Sequence, residues 1–434
     1  MAEALRVGLA GLGTVGAGVV RVLDANAALI ERRAGRAIKV VAVSARDRAK
    51  DRGIDLARFD WLDDTAALAK HAEVDVVVEL IGGADGPALT LARATLGGGR
   101  GLVTANKAML AHHGLELAGL AEERGAALKF EAAVAGGVPV IKGLREGTAA
   151  NELSRVSGIL NGTCNFILSK MESEGRDFAE VLAEAQALGY AEADPTFDID
   201  GIDAAHKLAI LASLSFGTRP AFGDVAVQGI AQVLGADIAE AAALGHRVRL
   251  VGIAEAGPQG LFQRVHPHLV PLDHPLAHVT GSTNAVVAEG DFVGRLLFQG
   301  AGAGEGPTAS AVVADLIDIA REMDRGGQAG APFAMPAAML SEPTPADTGE
   351  RRGRAYLRFT VQDRVGVLAE IAAAMRDAGV SIESLIQRGV SSDGHALVAI
   401  VTHDGPERCV AQALERLRGS QSLAGQPLWM PILA

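Results

Sequence analysis

Six residues near the start of the chain restrict its fold more than any others. Gly11-Leu12-Gly13-Thr14-Val15-Gly16 follows an apolar run at 6–10 and opens a segment of helical length, 16–30. A G-x-G-x-x-G between a strand and a helix points to dinucleotide binding. The first glycine allows a tight turn, the second lets backbone amides approach a pyrophosphate, and the third packs helix on strand. The anion then rests at the helix N-terminus, where unpaired N–H groups face it. Further apolar runs at 38–44, 74–81, 101–104 and 127–131 read as strands, and 86–97 as a helix. Strand and helix alternation of this kind predicts a doubly wound parallel α/β sheet.

In a nucleotide site of this type an acid at the end of the second strand would bind the ribose 2′-hydroxyl. Here that strand ends Val41-Ala42-Val43-Ser44-Ala45-Arg46, with Arg48 and Lys50 just beyond. The missing acid and the basic cluster around Arg46 suit a 2′-phosphate, so NADP(H) is expected to be preferred and NAD(H) accepted. A merely solvated basic loop is the alternative.

From Ala149 the pattern changes. A strand at 153–159, helices at 162–175, 177–188 and 201–216, and strand candidates around 259–270 and 283–299 predict an α+β domain with a partly antiparallel sheet. Residues 326–352 hold four prolines and no periodicity, and read as a linker. Beyond it, strand 354–361, helix 365–378, strands 380–390 and 394–403, helix 406–418 and a short last strand form a βαββαβ, ferredoxin-like unit.

Composition excludes several classes of function. The 434 residues carry 40 Lys plus Arg against 52 Asp plus Glu, a formal charge of −12. No basic stretch is long enough to neutralise a run of phosphates, so neither nucleic acid nor anionic membrane is expected as a partner. The longest apolar runs fall short of the roughly 18 residues of a membrane span. The start lacks a signal-peptide pattern, so a cytoplasmic protein is expected. Cys164 and Cys409 are the two cysteines, and a structural disulfide is not expected in a reducing compartment. His266, His268, His274 and His278 are interrupted by prolines and do not have metal-ligand spacing.

Three runs and two single residues then carry a resemblance. They are Gly101-Leu102-Val103-Thr104-Ala105-Asn106-Lys107, Asn161-Gly162-Thr163-Cys164-Asn165-Phe166, and Gly189-Tyr190-Ala191-Glu192-Ala193-Asp194-Pro195 followed by Asp203 and Lys207. With Gly302-Ala303-Gly304 before Pro307-Thr308, the whole chain resembles homoserine dehydrogenase, and its last eighty residues resemble an ACT regulatory domain. Departures from the family pattern are Cys164, where Thr is common, and Phe166, where Tyr is common. The resemblance implies reversible NAD(P)-dependent reduction of L-aspartate 4-semialdehyde to L-homoserine, on the route to threonine and methionine. The expected division is a nucleotide-binding domain at 1–140, to which 302–325 returns, a catalytic and dimerisation domain at 141–325, the linker, and the ACT domain at 353–434.

Lysine can supply either a proton or electrostatic support to an alkoxide. Asp203 lies one helical turn before Lys207, and spacing alone favours an exposed ion pair. The resemblance places the proton donor on Lys207 and the amino-acid contacts on Glu192 and Asp203. Lys107 it places near nicotinamide and substrate. To the cofactor set read from the residues, Gly11, Gly13, Thr14, Val15, Gly16 and Arg46, it adds Lys107, Gly189 and Gly304. It also implies a sodium site at Glu131, Val134, Gly136 and Val138, built mainly from carbonyls. In the last domain the loop of Asp363, Gly366, Val367 and Leu368 would hold threonine as a feedback inhibitor, and the protein would be a homodimer or homotetramer. Two other readings stay open on the residues. One is an acylating semialdehyde dehydrogenase using Cys164, whose thiol at a helix start would have a lowered pKa. The other is a non-catalytic amino-acid and nucleotide sensor.

Overall fold

The first strand, Leu5–Ala10, is buried along nearly its whole length, as a strand covered by helices on both faces must be. It lies inside a six-stranded parallel sheet of order Asp60–Trp61, Ile38–Ser44, Leu5–Ala10, Val76–Glu79, Gly101–Thr104, Leu128–Lys129. Strand order reverses beside Leu5–Ala10, which puts a crevice at the carboxyl ends of the central strands. The computed structural model describes residues 3–324, 329–390 and 395–434. The start of the expected linker, 326–328, residue 325 at the end of the returning segment, and residue 394 of the predicted strand therefore lie outside the described residues. The helix expected at 16–30 is two helices, Thr14–Ala25 and Ala27–Ala34, which meet at Asn26. Asn26 has non-helical dihedrals and caps the first of them, a role its short polar side chain favours over a helix interior.

The core of this unit is finished from far downstream. Helix Glu305–Asp324 packs Ala309, Val312, Leu316 and Ile319 into the same apolar cluster as Leu5, Val7, Leu9 and Val19. Gly18 makes the approach possible, because a Cβ there would lie 2.6 Å from the Glu305 side chain.

The middle domain is a six-stranded sheet of order Gly294–Ala301, Thr283–Gly290, Leu153–Ile159, His246–Gly257, Gly260–Pro271, Ala226–Val227, antiparallel except for its last pair. Helices Gly162–Glu174, Phe178–Ala187 and Ile202–Phe216 accompany it. The predicted strand 283–299 is a hairpin that turns at 291–293. Strand His246–Gly257 has no counterpart in the sequence reading. Its Arg249 is fully buried, with its guanidinium donating to the carbonyls of Val279 and Ala277 and to Glu172.

The stretch expected as a free linker is a fastened strap. Phe333 is buried against Phe130 with ring centroids 5.1 Å apart, the Ala337 amide donates to the Glu122 carboxylate, and the Leu261 amide donates to Thr344 O at 2.8 Å. Isolated anchors of this kind leave no periodic signal in a sequence.

The C-terminal domain has the βαββαβ order, with its antiparallel sheet arranged Ile382–Val390, His395–Thr402, Ala355–Gln362, Leu428–Pro431. Helices Val367–Asp377 and Glu407–Arg416 supply the crossovers. It docks on the middle domain through buried ion pairs. Asp237 accepts from Tyr356 Oη at 2.9 Å and from Arg358 Nε at 3.1 Å, while Arg264 Nη1 donates to Glu407 at 3.0 Å. Leu433 continues into the apolar cluster of Ile159, Val251 and Phe262. Among the described residues no helix is long and apolar enough to cross a membrane.

Removing one partner of a buried pair strands the other charge. Asp237→Ala, which leaves Arg358 and Tyr356 buried without their acceptor, is expected to cost about 3–5 kcal/mol in urea unfolding. Asp404→Ala breaks only the exposed pair with Arg352 and is expected to cost under about 1 kcal/mol.

Candidate active site

Two of the three glycines of the loop have a steric reason, and the third faces open space. Gly11 has φ +97°, and a Cβ there would stand 2.6 Å from Leu80 O; at Gly16 a Cβ would stand 2.1 Å from Gly11 O. Beside Gly13 there is no atom within 4 Å of a built Cβ, so the space over the helix start is open. Gly13 caps helix Thr14–Ala25 without any side-chain hydrogen bond, leaving the first-turn amides, those of Thr14 and Val15 among them, without intrahelical partners. Arg52, which sequence reasoning missed, donates from Nε to Leu12 O at 2.8 Å and so ties the basic loop to the glycine loop. Its guanidinium and that of Arg48 lie 6.0 and 5.7 Å from the Trp61 ring centroid, while Arg46 is exposed just past the strand end.

The next two strand ends launch Lys107. Buried Glu79 accepts from Thr104 Oγ1 at 2.6 Å and from the amides of Ile81 and Gly82 at 2.7 and 3.1 Å. Asn106 then caps helix Lys107–Arg124 by accepting from the Met109 amide at 3.1 Å, and donates to Gly83 O at 2.7 Å. A lysine at the first position of a helix faces the positive end of the dipole, so an acid elsewhere must hold it. That acid is Asp203, whose Oδ1 is 3.0 Å from Lys107 Nζ.

Asp203 lies on helix Ile202–Phe216 and is buried, as is Lys207 one turn later. Lys207 Nζ donates to Asp203 Oδ2 at 2.7 Å and to Leu160 O at 2.7 Å. Asn161 Nδ2 donates to Asp203 Oδ2 at 2.9 Å and to Asp198 Oδ1 at 2.8 Å. Asp198 and Asn161 were not singled out from the sequence, although both sit within or beside the runs that were. Burial disfavours the Lys207 ammonium, and although Asp203 opposes this the pKa stays below the ordinary lysine value. Burial also acts against the Asp203 carboxylate, but Lys207 and Lys107 outweigh it and hold the group well below the usual range. For Lys107 burial is outweighed by Asp203, Asp198 and Glu192, and its pKa is raised.

Glu192 stands on the exposed loop at the rim, with Gly189 at φ +77° on the same loop. Gly304, at φ +113°, opens helix Glu305–Asp324 beside the glycine helix. Around the mouth Leu188, Tyr190 and Phe197 expose apolar surface, with the Phe197 ring 5.8 Å from Lys107 Nζ. A polar floor under an apolar rim suits a small organic ligand.

The thiol of Cys164 is the opposite of activated. It is fully buried and donates to Asp198 O at 3.1 Å; burial, then the charges of Asp198, Asp203 and Asp200, push its pKa well above the ordinary value. The expected lowering at a helix start is overturned by this acidic, dry environment.

Glu131 is buried with each carboxylate oxygen accepting one amide, from Ile141 at 2.9 Å and Lys142 at 3.0 Å. Burial and Asp315 push its pKa up to about 7. Ala135 and Gly136 follow with φ of 56° and 50°, and a Cβ on Gly136 would meet Gly302 O at 2.5 Å. No described hydrogen bond reaches the carbonyls of Val134 or Gly136, while Val138 O accepts the Val140 amide at 2.8 Å. Among the described residues no group of three His, Cys, Asp or Glu side chains is placed to hold a metal ion, so any cation here would rest on backbone oxygens. In the C-terminal domain Gly366, at φ +98°, caps helix Val367–Asp377; Val367 is buried, Leu368 and Asp363 are exposed, and the first-turn amides have no side-chain cap.

Comparison with known proteins agrees with this geometry. Residues 11–131 match the family model "Homoserine dehydrogenase, NAD binding domain", 139–317 match "Homoserine dehydrogenase", and 355–419 match "ACT domain". The chain is 45% identical over 427 residues to a homoserine dehydrogenase of Pseudomonas aeruginosa, covering 97% of each, and 45% identical over 411 residues to that of Neisseria gonorrhoeae, covering 94% of each. Among solved structures, a homoserine dehydrogenase from Thiobacillus denitrificans superposes with a TM-score of 0.92 at 41% identity, covering 99% of this chain and 98% of that one. A hyperthermophilic archaeal homoserine dehydrogenase in complex with NADPH gives a TM-score of 0.63 at 28% identity, over 73% of this chain and 97% of that one. A nucleotide-binding crevice, a Lys–Asp–Lys floor and an appended ACT domain in one chain, with these relatives along nearly its full length, place it in the homoserine dehydrogenase family of NAD(P)-dependent oxidoreductases.

Proposed function

We propose that Lys207 is the proton-transfer group in the interconversion of L-homoserine and L-aspartate 4-semialdehyde. The observation that carries this assignment is the position of Asp203, buried with Lys207, between Lys207 and the half-buried Lys107. Two of the three positions on Lys207 Nζ are taken by Asp203 and Leu160 O, leaving the third for the reacting oxygen. A lowered pKa gives Lys207 a larger neutral fraction near neutrality, so that it can take the homoserine hydroxyl proton in oxidation and return it in reduction. Lys107 stays charged and supports the developing alkoxide. Glu192 at the rim and Asp203 on the floor attract the substrate ammonium. The nicotinamide dinucleotide, when bound, accepts or supplies the hydride.

The open space over Gly13 and the free amides of Thr14 and Val15, with Gly11 and Gly16 shaping the turn, fit a pyrophosphate. Gly189 and Gly304 give that molecule close approach. Arg46, with no acid at the end of its strand, supports a preference for NADP(H) over NAD(H), and the archaeal relative was solved with NADPH. The donorless carbonyls of Val134 and Gly136, near Glu131 and Val138, fit a monovalent cation such as sodium, because hard cations take oxygen ligands. Free amides at the loop of Asp363, Gly366, Val367 and Leu368 support an amino-acid effector, with threonine the feedback inhibitor. Edge strand Gly294–Ala301 and exposed Phe292 support a homodimer through the middle domain, or a tetramer if the ACT domains also pair. Action in the cytoplasm fits such a biosynthetic role.

With cofactor binding and folding verified, Lys207→Ala is expected to lower kcat for homoserine oxidation by at least about a hundredfold; near-normal turnover would remove Lys207 from its role. Cys164→Ser is expected to leave kcat close to that of the unaltered protein, because the hydroxyl can make the same bond to Asp198 O. Arg46→Ala is expected to raise KM for NADP+ by about tenfold with little change for NAD+, and steady-state kinetics with the two cofactors decide it.

A further inference from the structure

Asn161 does two things with two different atoms. Its Oδ1 accepts from the Cys164 amide at 2.8 Å and caps helix Gly162–Glu174. Its Nδ2 places one hydrogen on Asp198 and the other on Asp203, at 2.8 and 2.9 Å, inside the buried floor. Asn, Asp and Ser are nearly equivalent as helix caps, so capping alone gives no reason for an amide here. The amide is needed where two carboxylates must be joined without a further charge. Asp203 Oδ2 is the same oxygen that receives Lys207 Nζ, so whatever Asn161 does to that oxygen is felt by the lysine directly.

We propose that Asn161 is a positioning residue for proton transfer: its NH2 group bridges Asp198 and Asp203, fixes their spacing and orientation, and so sets the charge that Lys207 meets. The inference rests on the assignment of Lys207 above. The charged and titratable groups that face Lys207 are Asp203 and His206 on its own helix, Lys107 from helix Lys107–Arg124, Asp198 from the short helix Thr196–Ile199, and Cys164 at the start of helix Gly162–Glu174. Glu192 acts on the same cluster through Lys107. Asn161 is the neutral donor that connects two of the three carboxylates in this set.

Two variants separate bridging from capping. Asn161→Asp keeps a cap oxygen and substitutes a negative oxygen for the bridging NH2. The added charge favours the Lys207 ammonium, so the rising limb of the kcat–pH profile for homoserine oxidation is expected to move upward by at least about one pH unit, equivalent to tenfold in the protonation constant. Asn161→Ser keeps a cap acceptor but is too short to reach both acids, and is expected to lower kcat by about tenfold with Tm nearly unchanged. The Lys207→Ala variant is measured alongside. If it remains active, the assignment of Lys207 fails; if it is inactive and a folded Asn161→Asp keeps the original pH limb, or Asn161→Ser keeps the original kcat, Asn161 is a helix cap only and the inference is overturned.

Discussion

A single carboxylate, Asp203, holds two ammonium groups that come from different domains. Lys207 shares its helix, whereas Lys107 arrives from the nucleotide-binding domain. Buried like charges repel strongly unless an opposite charge lies between them. The floor of the site is therefore also an electrostatic clasp between the two domains, and its geometry depends on the elements that deliver each partner. Glu79 and Asn106 set where helix Lys107–Arg124 begins, and Asn161 sets where helix Gly162–Glu174 begins. Shape and reactivity at this point have the same cause.

The sequence made some of this arrangement legible and left other parts silent. The parallel sheet and the βαββαβ domain could be read because their apolar residues recur with the period of the element they build. The i, i+4 placement of Asp203 and Lys207 was visible too, but spacing could not distinguish a solvated pair from a buried one. What escaped was chiefly polar and buried. Glu79, Asn161 and Asp198 are held by hydrogen bonds between residues distant in the chain, to which periodicity is blind. Strand His246–Gly257 carries Arg249, held in the same way, and the Cys164 thiol pKa is raised rather than lowered at its helix start because its acidic surroundings come from residues 198–203.

The strap and the C-terminal ACT domain are physically joined to the middle domain. Buried ion pairs at Asp237 and Glu407 orient the ACT domain on the middle sheet, so the two are more than tethered neighbours. Leu433 then shares an apolar cluster with Ile159, and the next residue, Leu160, accepts a hydrogen bond from Lys207. The tail of one domain thus shares a cluster with the residue next to a carbonyl that holds Lys207 of another.

Completion of the first core by helix Glu305–Asp324 has a consequence for the birth of the chain. Arg21 and Glu305, paired across the closing contact, are 284 positions apart. Synthesis proceeds at about 5–20 residues per second, so the face of the first sheet that this helix covers waits on the order of tens of seconds for its partner. The strands of the middle sheet, all between residues 153 and 301, are synthesised in that interval. The nucleotide-binding domain is the first to begin, yet its core is complete only after the whole middle sheet has been synthesised.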